Sequence, residues 1–388
     1  MSGIKRNRDA AVDGLRGLML LVIVATHYLP TSFFSGNIAR PAAAVMLAVT
    51  GYFFMQMVER DQRFHGRFPE RCRAVGALLF QRHMRIWPTL AGVILLYVGL
   101  GFIDPGATTS QIHHTWPLYL GYMGNVVKMI YEEQAFPAHF WLISAQEQFI
   151  LITLLALVLV PRDRLAIFLK GAVVVGVVGR FAGCFMFMPA HPALATETPF
   201  AVADALALGM LCGIAIAEQI SRTGLRRRFT LAAIATFFGW ASLPNTYAVY
   251  FGFLPLLAAL VGCIIIFVMA DEVRGRRFER AMLGWPGLVL LGRMSLSLFL
   301  LHPFVNTLIN LSYARITGEL ISWWLLAIIG PPLSVLVAFG YFTAVEVPLR
   351  RLRARASSTV QAQLAHARSI APQLRPQFGR AVPSVLTN

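Results

Sequence analysis

Residues 12–30 read VDGLRGLMLLVIVATHYLP. The run is apolar enough to enter a bilayer, yet it carries Asp13 and Arg16 near one end and His27 near the other. A cation within a transmembrane helix costs roughly 2.5–3.5 kcal/mol on insertion scales, so it is rarely idle. Arg16 and His27 are eleven residues apart. On a helix that is about 16 Å along the axis and close to the same face. The segment therefore sets a fixed positive charge near one membrane surface and an imidazole near the other. A snorkelling arginine and a packed histidine would give the same pattern, so this helix alone leaves the choice open.

The rest of the chain fits that reading. Of 388 residues, 57% are hydrophobic and 13% charged, against a usual charged share of about 25%. This is the composition of a polytopic membrane protein, with room for about ten spans of twenty residues. The four cysteines, Cys72, Cys184, Cys212 and Cys263, show no paired spacing. Neither a disulfide framework nor a metal site is expected. Lys5, Arg6 and Arg8 precede the first apolar run, and no small-residue cleavage site follows Pro30, so a retained signal-anchor helix is expected.

Spans are expected near 12–30, 39–58, 80–103, 141–160, 165–188, 199–217, 229–247, 250–270, 286–310 and 321–345. The net charge of +16 then sorts by side. The segments 59–73, 161–170, 221–228 and 271–280, with the two termini, hold nearly all the Lys and Arg, while the opposite side has only Arg40, Lys128 and Arg315. The positive-inside rule places both termini in the cytoplasm and makes the basic charge a topology signal, not a nucleic-acid surface. Residues 116–131, WPLYLGYMGNVVKMIY, are apolar but short and broken by Pro117, Gly121 and Gly124. They read as an interfacial or re-entrant piece. Residues 1–350 form the membrane domain, and 351–388 read as a basic, disordered cytoplasmic tail.

Further polar residues fall where lipid should be. The third span opens with Gln81, Arg82, His83 and Arg85. Arg82 and Arg85 share a face at i and i+3, expected near the cytoplasmic end. Two guanidiniums there suit the phosphates of a ligand arriving from the cytoplasm, and equally suit positive-inside anchors. The fourth span, FWLISAQEQFILITLL, carries Gln146, Glu147 and Gln148 in its first turns. Glu147 is a functional candidate, or one half of a structural ion pair with an arginine. The ninth span repeats the layout of the first, with Arg293 low and His302 high. Arg180 lies mid-span without a motif. His27, Glu147 and His302 share a depth above a basic vestibule, and an imidazole beside a carboxylate is equipped to take a proton from a hydroxyl.

Six stretches resemble the integral-membrane acyltransferase family 3. AVDGLRGLMLLVIVATHY resembles its Arg-x10-His helix, with Arg16 and His27 at the motif positions. VMLAVTGYFF resembles its "FFVLSGFLI", with Thr50 for the usual Ser. FQRHMRIWPTL resembles "RRLLRIYPLY", with Arg82 and Arg85 at the matching arginines. FWLISAQEQF resembles "LWSLSVEEQF", with Gln146 for the first Glu and Glu147 retained. LLGRMSLSLFLLHPFV resembles "LGRISYSLYLWHPLV", with Leu296 and Phe299 where tyrosines are common. VEVPLRRL resembles "IERPFRRL". The order is the same throughout, from about residue 9 to 353.

The resemblance implies an all-α, multi-pass enzyme of the bacterial inner membrane. It would move an acyl group, usually acetyl, from cytoplasmic acetyl-CoA to a hydroxyl of an exported polysaccharide or lipid-linked glycan. Acyl-CoA is then a co-substrate, with no permanently bound cofactor. Arg82 and Arg85, with Arg16 and Arg293, are expected at the CoA phosphates. His27 is the expected general base or acyl carrier, Glu147 its orienting carboxylate, and His302 a proton-handling or donor-positioning group. The oligomeric state is open. A transporter or flippase for a lipid-linked or anionic solute is the competing class, since intramembrane Arg, Glu and His suit that as well.

Overall fold

The computed structural model describes residues 2–30, 38–104, 106, 110–132, 136–188, 190–218, 222–241, 247–270 and 282–352. Helices α1 (Ser2–Tyr28), α2 (Ala39–Arg60) and α3 (Phe68–Ile103) are followed by two short ones, α4 (Ile112–Leu120) and α5 (Gly124–Tyr131). Then come α6 (Trp141–Leu159), α7 (Arg162–Phe187), the five-residue α8 (Pro192–Thr196), α9 (Pro199–Ala217), α10 (Arg222–Ala241) and α11 (Tyr247–Ala270). The last are α12 (Pro286–Arg293), α13 (Ser295–Thr317) and α14 (Trp323–Tyr341). Among the described residues there is no strand, and nine helical segments are long and apolar enough to cross a membrane. The chain is an all-α polytopic membrane protein.

Two compact units divide the chain, Met1–Phe339 and Gly340–Asn388. In the second, a π-helical turn over Phe342–Glu346 carries an i,i+4 ion pair, Arg350 to Glu346, at 2.8 Å. The expected tail beyond 352 lies outside the described residues, and so does the basic connection 271–280.

Three expectations change within the first unit. The expected span 229–247 falls on α10, which opens with four arginines and is not one of the nine segments. Its expected end, 242–246, lies outside the described residues. The expected span 286–310 is two helices, broken at Met294, so Arg293 precedes the apolar segment instead of lying in it. The third helix starts at Phe68, not near 80, and has 36 residues. That is about 54 Å, well beyond an apolar thickness of about 30 Å. Residues 116–131 form the short α4 and α5, about 12–14 Å each, and neither could span.

The packing follows from small residues. Almost every residue of α9 from Ala201 to Ala215 is buried, and the run is dominated by Ala, Gly and Leu. Without a hydrophobic force between helices in lipid, close backbone approach supplies the contact. At Gly209 a Cβ would lie 1.8 Å from the Ala48 carbonyl of α2. The glycines of DGLRG act in the same way. A Cβ on Gly14 would lie 1.6 Å from the Leu283 carbonyl and one on Gly17 2.1 Å from the Leu288 carbonyl, and from the facing helix a Cβ on Gly292 would lie 1.8 Å from the Asp13 carbonyl. These contacts seat α1 against α12. Ala11, Val12 and Leu15 then join Val45 and Val49 of α2 and Ile266 and Met269 of α11 in one apolar cluster.

Ion pairs mark the two ends of the bundle. Arg162 at the start of α7 pairs with Glu59 at the end of α2, and lies 3.6 Å from Glu218 after α9. Arg71 Nη1 donates to the Val160 carbonyl at 2.9 Å. The basic connections 59–73 and 161–170 therefore share one end. At the other end the first turns of α2, α6 and α11 meet the residues just before α9.

Candidate active site

α1 and α13 run side by side. Arg16 Nη2 donates to Ser295 Oγ at 2.8 Å, and Asn306 Nδ2 donates to the His27 carbonyl at 3.2 Å. Between them the His27 and His302 rings stand edge to face with centroids 4.7 Å apart. The Arg-low, His-high layouts of the first and ninth spans are thus two halves of one arrangement. Tyr28 closes it, donating to the His302 carbonyl at 2.8 Å and meeting Ser334 Oγ of α14 at 2.6 Å.

A third imidazole joins them. His139 lies in a short 3-10 turn, Ala138–Phe140, just before α6. Its ring centroid is 5.5 Å from that of His302. From the sequence alone His139 carries no assigned role. The one available signal was its place two residues ahead of Trp141 at the opening of the polar fourth span.

The hydrogen bonds assign the tautomers. His27 Nδ1 is 2.8 Å from the Ile23 carbonyl and His302 Nδ1 is 3.1 Å from the Leu298 carbonyl. A carbonyl can only accept, so each Nδ1 carries the hydrogen and each Nε2 keeps its lone pair. His302 is fully buried and its Nε2 has no partner among the described residues. His27 is exposed, so its Nε2 is the accessible base. His139 takes the opposite tautomer, with Nε2 donating to the Leu300 carbonyl at 3.3 Å.

Glu147 is not with them. Arg82 grips it through two bonds, Nε to Oε2 and Nη2 to Oε1, each 2.6 Å, and Gln146 Nε2 donates to Oε1 at 2.8 Å. The expected His27–Glu147 contact is replaced by an ion pair whose side chains are only 10% and 9% exposed. The reason is the length of α3. Arg71 already reaches the end of α6, and Arg82 is eleven residues further on, about 16 Å deeper. It therefore lies beside Glu147 in mid-bundle, not at the basic end where it was expected.

The neighbouring polar residues of α6 tie down the short helices. Asn125 and Gln148 exchange two hydrogen bonds of 3.0 and 2.9 Å. Gln148 also donates to the Tyr122 carbonyl at 2.8 Å, and Ser144 Oγ accepts from the Gly124 N–H at 2.9 Å. Burial first, and the Glu147 carboxylate second, push the Tyr122 phenol above its usual range, so it stays protonated.

Of the remaining expected site residues, Arg16 and Arg293 lie on the packed α1 and α12, whereas Arg85 is on α3. Arg85 is exposed although Arg82, one turn earlier, is not. Arg293 is 59% exposed and 3.7 Å from Asp13. Arg16 is partly buried, with its guanidinium carbon 6.0 Å from the Phe53 ring. Among the described residues no group of His, Cys, Asp or Glu is placed to hold a metal. Arg180 forms a fork with Asp204 at 2.8 and 2.6 Å and also donates to the carbonyls of Ala201 and Gly252.

An accessible imidazole base, backed by a second and third imidazole in the core of a membrane bundle, suits proton transfer from a hydroxyl. No curated protein and no solved structure matches the chain. A family model described as an acyltransferase domain matches residues 9–343, nearly the whole membrane region. The chain belongs to the acyltransferase 3 family of membrane acyltransferases.

Proposed function

We propose that the protein takes an acyl group, most simply acetyl, from acyl-CoA and delivers it to a hydroxyl of an exported or lipid-linked glycan. The observation that carries this reading is His27, with Nδ1–H held on its own helix and Nε2 accessible next to His302. In this reading the basic end of the bundle faces the cytoplasm of a bacterium, and the donor enters there. The exposed Arg293 meets the CoA phosphates, whereas Arg85, one turn deeper than Arg82 on α3, faces the inner part of the donor path. Arg16 lies about 16 Å along α1 from His27, a distance that an extended pantetheine arm covers to bring the thioester to the imidazole.

At the thioester His27 Nε2 takes the proton of the acceptor hydroxyl. The oxygen forms the new ester bond to the acyl carbon, the carbon–sulfur bond breaks, and the CoA thiolate leaves with the proton from the imidazolium. His302 and His139 hold the far side of His27 dry and polar. Arg82 is occupied by Glu147 in the resting chain, so its part is to fix α3 against α6, and Glu147 acts through Arg82. A direct transfer and a short-lived acyl-imidazole use the same groups.

The test is acetyl-labelled acetyl-CoA with purified protein, comparing wild type and His27→Ala. Both should bind the donor, and turnover should fall in the variant by about 10²–10⁴, the range for a general base. Transfer by His27→Ala at the wild-type rate would overturn the assignment of the base. Absence of donor binding by the wild type would overturn acyl-CoA as donor.

A further inference from the structure

The face of α13 that carries His302 continues as a line of amides. His302, Asn306 and Asn310 are spaced by four, which keeps them on one side of a helix. The acyl-transfer chemistry uses only the first. An amide in a membrane span must find its hydrogen bonds away from lipid. Asn306 Nδ2 donates to the His27 carbonyl at 3.2 Å, and Asn310 Nδ2 donates to the Asn306 carbonyl and to Asn306 Oδ1, each at 2.8 Å. A carbonyl only accepts, so these bonds fix the orientation of both amides. They leave two groups over. The second N–H of Asn306 has no acceptor, and Asn310 Oδ1 has no donor, among the described residues.

Neither residue is buried. Asn306 and Asn310 are partly exposed, and His27 beside them is exposed. Asn310 Oδ1 is not one of the unpaired polar atoms that the fold seals, as His302 Nε2 is. The helix lengths explain the opening. α1 ends at Tyr28, whose phenol reaches the His302 carbonyl. α13 runs on to Thr317, about 22 Å further. Its direction follows from α3, which starts at the basic end of the bundle. Tyr97 of α3 donates to the Leu300 carbonyl, and Arg315 donates to the carbonyl of Ile103, the last residue of α3. α13 therefore runs away from the basic end. Asn306 and Asn310 stand about 6 and 12 Å beyond His302 on that side, so a ligand arriving at His27 from there meets them first.

The two leftover groups belong to adjoining amides, and neither is charged. An anion could accept from Asn306 but would face the Asn310 oxygen. A cation could satisfy Asn310 but would face the Asn306 N–H. A hydroxyl does both, accepting from one and donating to the other. We propose that Asn306 and Asn310 bind a second, non-reacting hydroxyl of the acceptor while another of its hydroxyls meets His27 Nε2. The ligand class is a neutral polyol such as a sugar, and not a simple alcohol. The inference rests on the hydroxyl acceptor of the proposed function, and its test reads occupancy of the site separately from acyl transfer.

The full chain is purified in a sugar-free detergent and treated with diethyl pyrocarbonate, which modifies accessible neutral imidazoles. Modification of His27 is read by mass spectrometry with methyl β-glucopyranoside, a polyol, or cyclohexanol, which has one hydroxyl. Transfer from labelled acetyl-CoA is measured on the same samples. The glycoside should protect His27 at lower concentration than cyclohexanol. Asn310→Leu should raise the glycoside concentration for half-protection about five- to tenfold, the worth of one hydrogen bond, with the cyclohexanol value and acetyl-CoA binding unchanged. Asn310→Thr should keep most of the protection. Its hydroxyl can donate to the Asn306 carbonyl, as Thr307 does to that of Pro303, and still accept from the ligand. If Asn310→Leu does not fold, Asn310→Ala carries the comparison. A lowered unfolding midpoint with unchanged protection, no protection by the glycoside, or equal protection by cyclohexanol overturns the subsite. Transfer to the glycoside that is indifferent to Asn310 overturns the subsite and leaves the acceptor reading in place. Protection that depends on Asn310, without transfer to the glycoside, would uphold the subsite and count against the glycan as acyl acceptor.

Discussion

Replacing Glu147 by Gln separates two accounts of this carboxylate. Its oxygens are 2.6 Å from two nitrogens of Arg82, and both side chains are about nine-tenths buried. With charge centres about 4 Å apart and an effective dielectric constant of about 20, the attraction is about 4 kcal/mol. Breaking a buried pair from one side costs about 3–5 kcal/mol, because the other charge is stranded. Gln keeps one acceptor for Arg82, so the lower end, about 3 kcal/mol, is expected. The assay is the midpoint of thermal unfolding in detergent at one fixed scan rate, since such unfolding is usually irreversible. Glu147→Gln and Arg82→Gln should each lower the midpoint by several degrees. The double variant, with two neutral amides, should be more stable than either single one. A carboxylate acting on His27 makes a different forecast, with turnover lost, the midpoint unchanged, and no rescue by Arg82→Gln. That outcome, or a double variant whose loss is the sum of the two singles, would refute the ion-pair reasoning.

Two further outcomes follow from packing and from the imidazoles. Gly209→Ala sets a methyl 1.8 Å from the Ala48 carbonyl and should cost about 1–3 kcal/mol by overpacking α2 against α9. Gly171→Ala, with nothing within 4 Å of the new carbon, should leave the unfolding midpoint unchanged or slightly raised. His302→Gln should lower kcat, leave the acyl-CoA KM in place and shift the acid limb of the kcat–pH profile. A lowered midpoint with an unshifted profile would reduce His302 to a packing role.

Much of the architecture was legible because a membrane span is a one-dimensional property. Length, hydropathy and the side of each basic loop are read along the chain. They led to an all-helical bundle and to the short, non-spanning pieces at 116–131. They misplaced the start of α3, since the charged turn at 70–73 reads as part of the basic loop although it already belongs to the same helix. They also ran the ninth span through Met294, where the backbone breaks although the hydropathy does not.

The sequence by itself determined roughly how deep Arg16, His27 and Glu147 lie, but not Arg82, whose depth depends on where α3 begins. Arg16 and His27 are one helix length apart whatever surrounds them, and Glu147 is a fixed number of turns from the end of α6. Only the tertiary structure decided which helix each of them faces. Glu147 and His27 were expected at a common depth, but α3 stands beside α6 and supplies Arg82 at the shorter distance. His139 enters the histidine cluster only because a 3-10 turn lies against α13. Arg40 and Glu197, 157 residues apart, meet because the glycines and alanines of α2 and α9 let those helices touch. Depth follows from rise per residue along one chain, whereas a side chain's partner depends on the rotation of its helix and on which neighbour packs there.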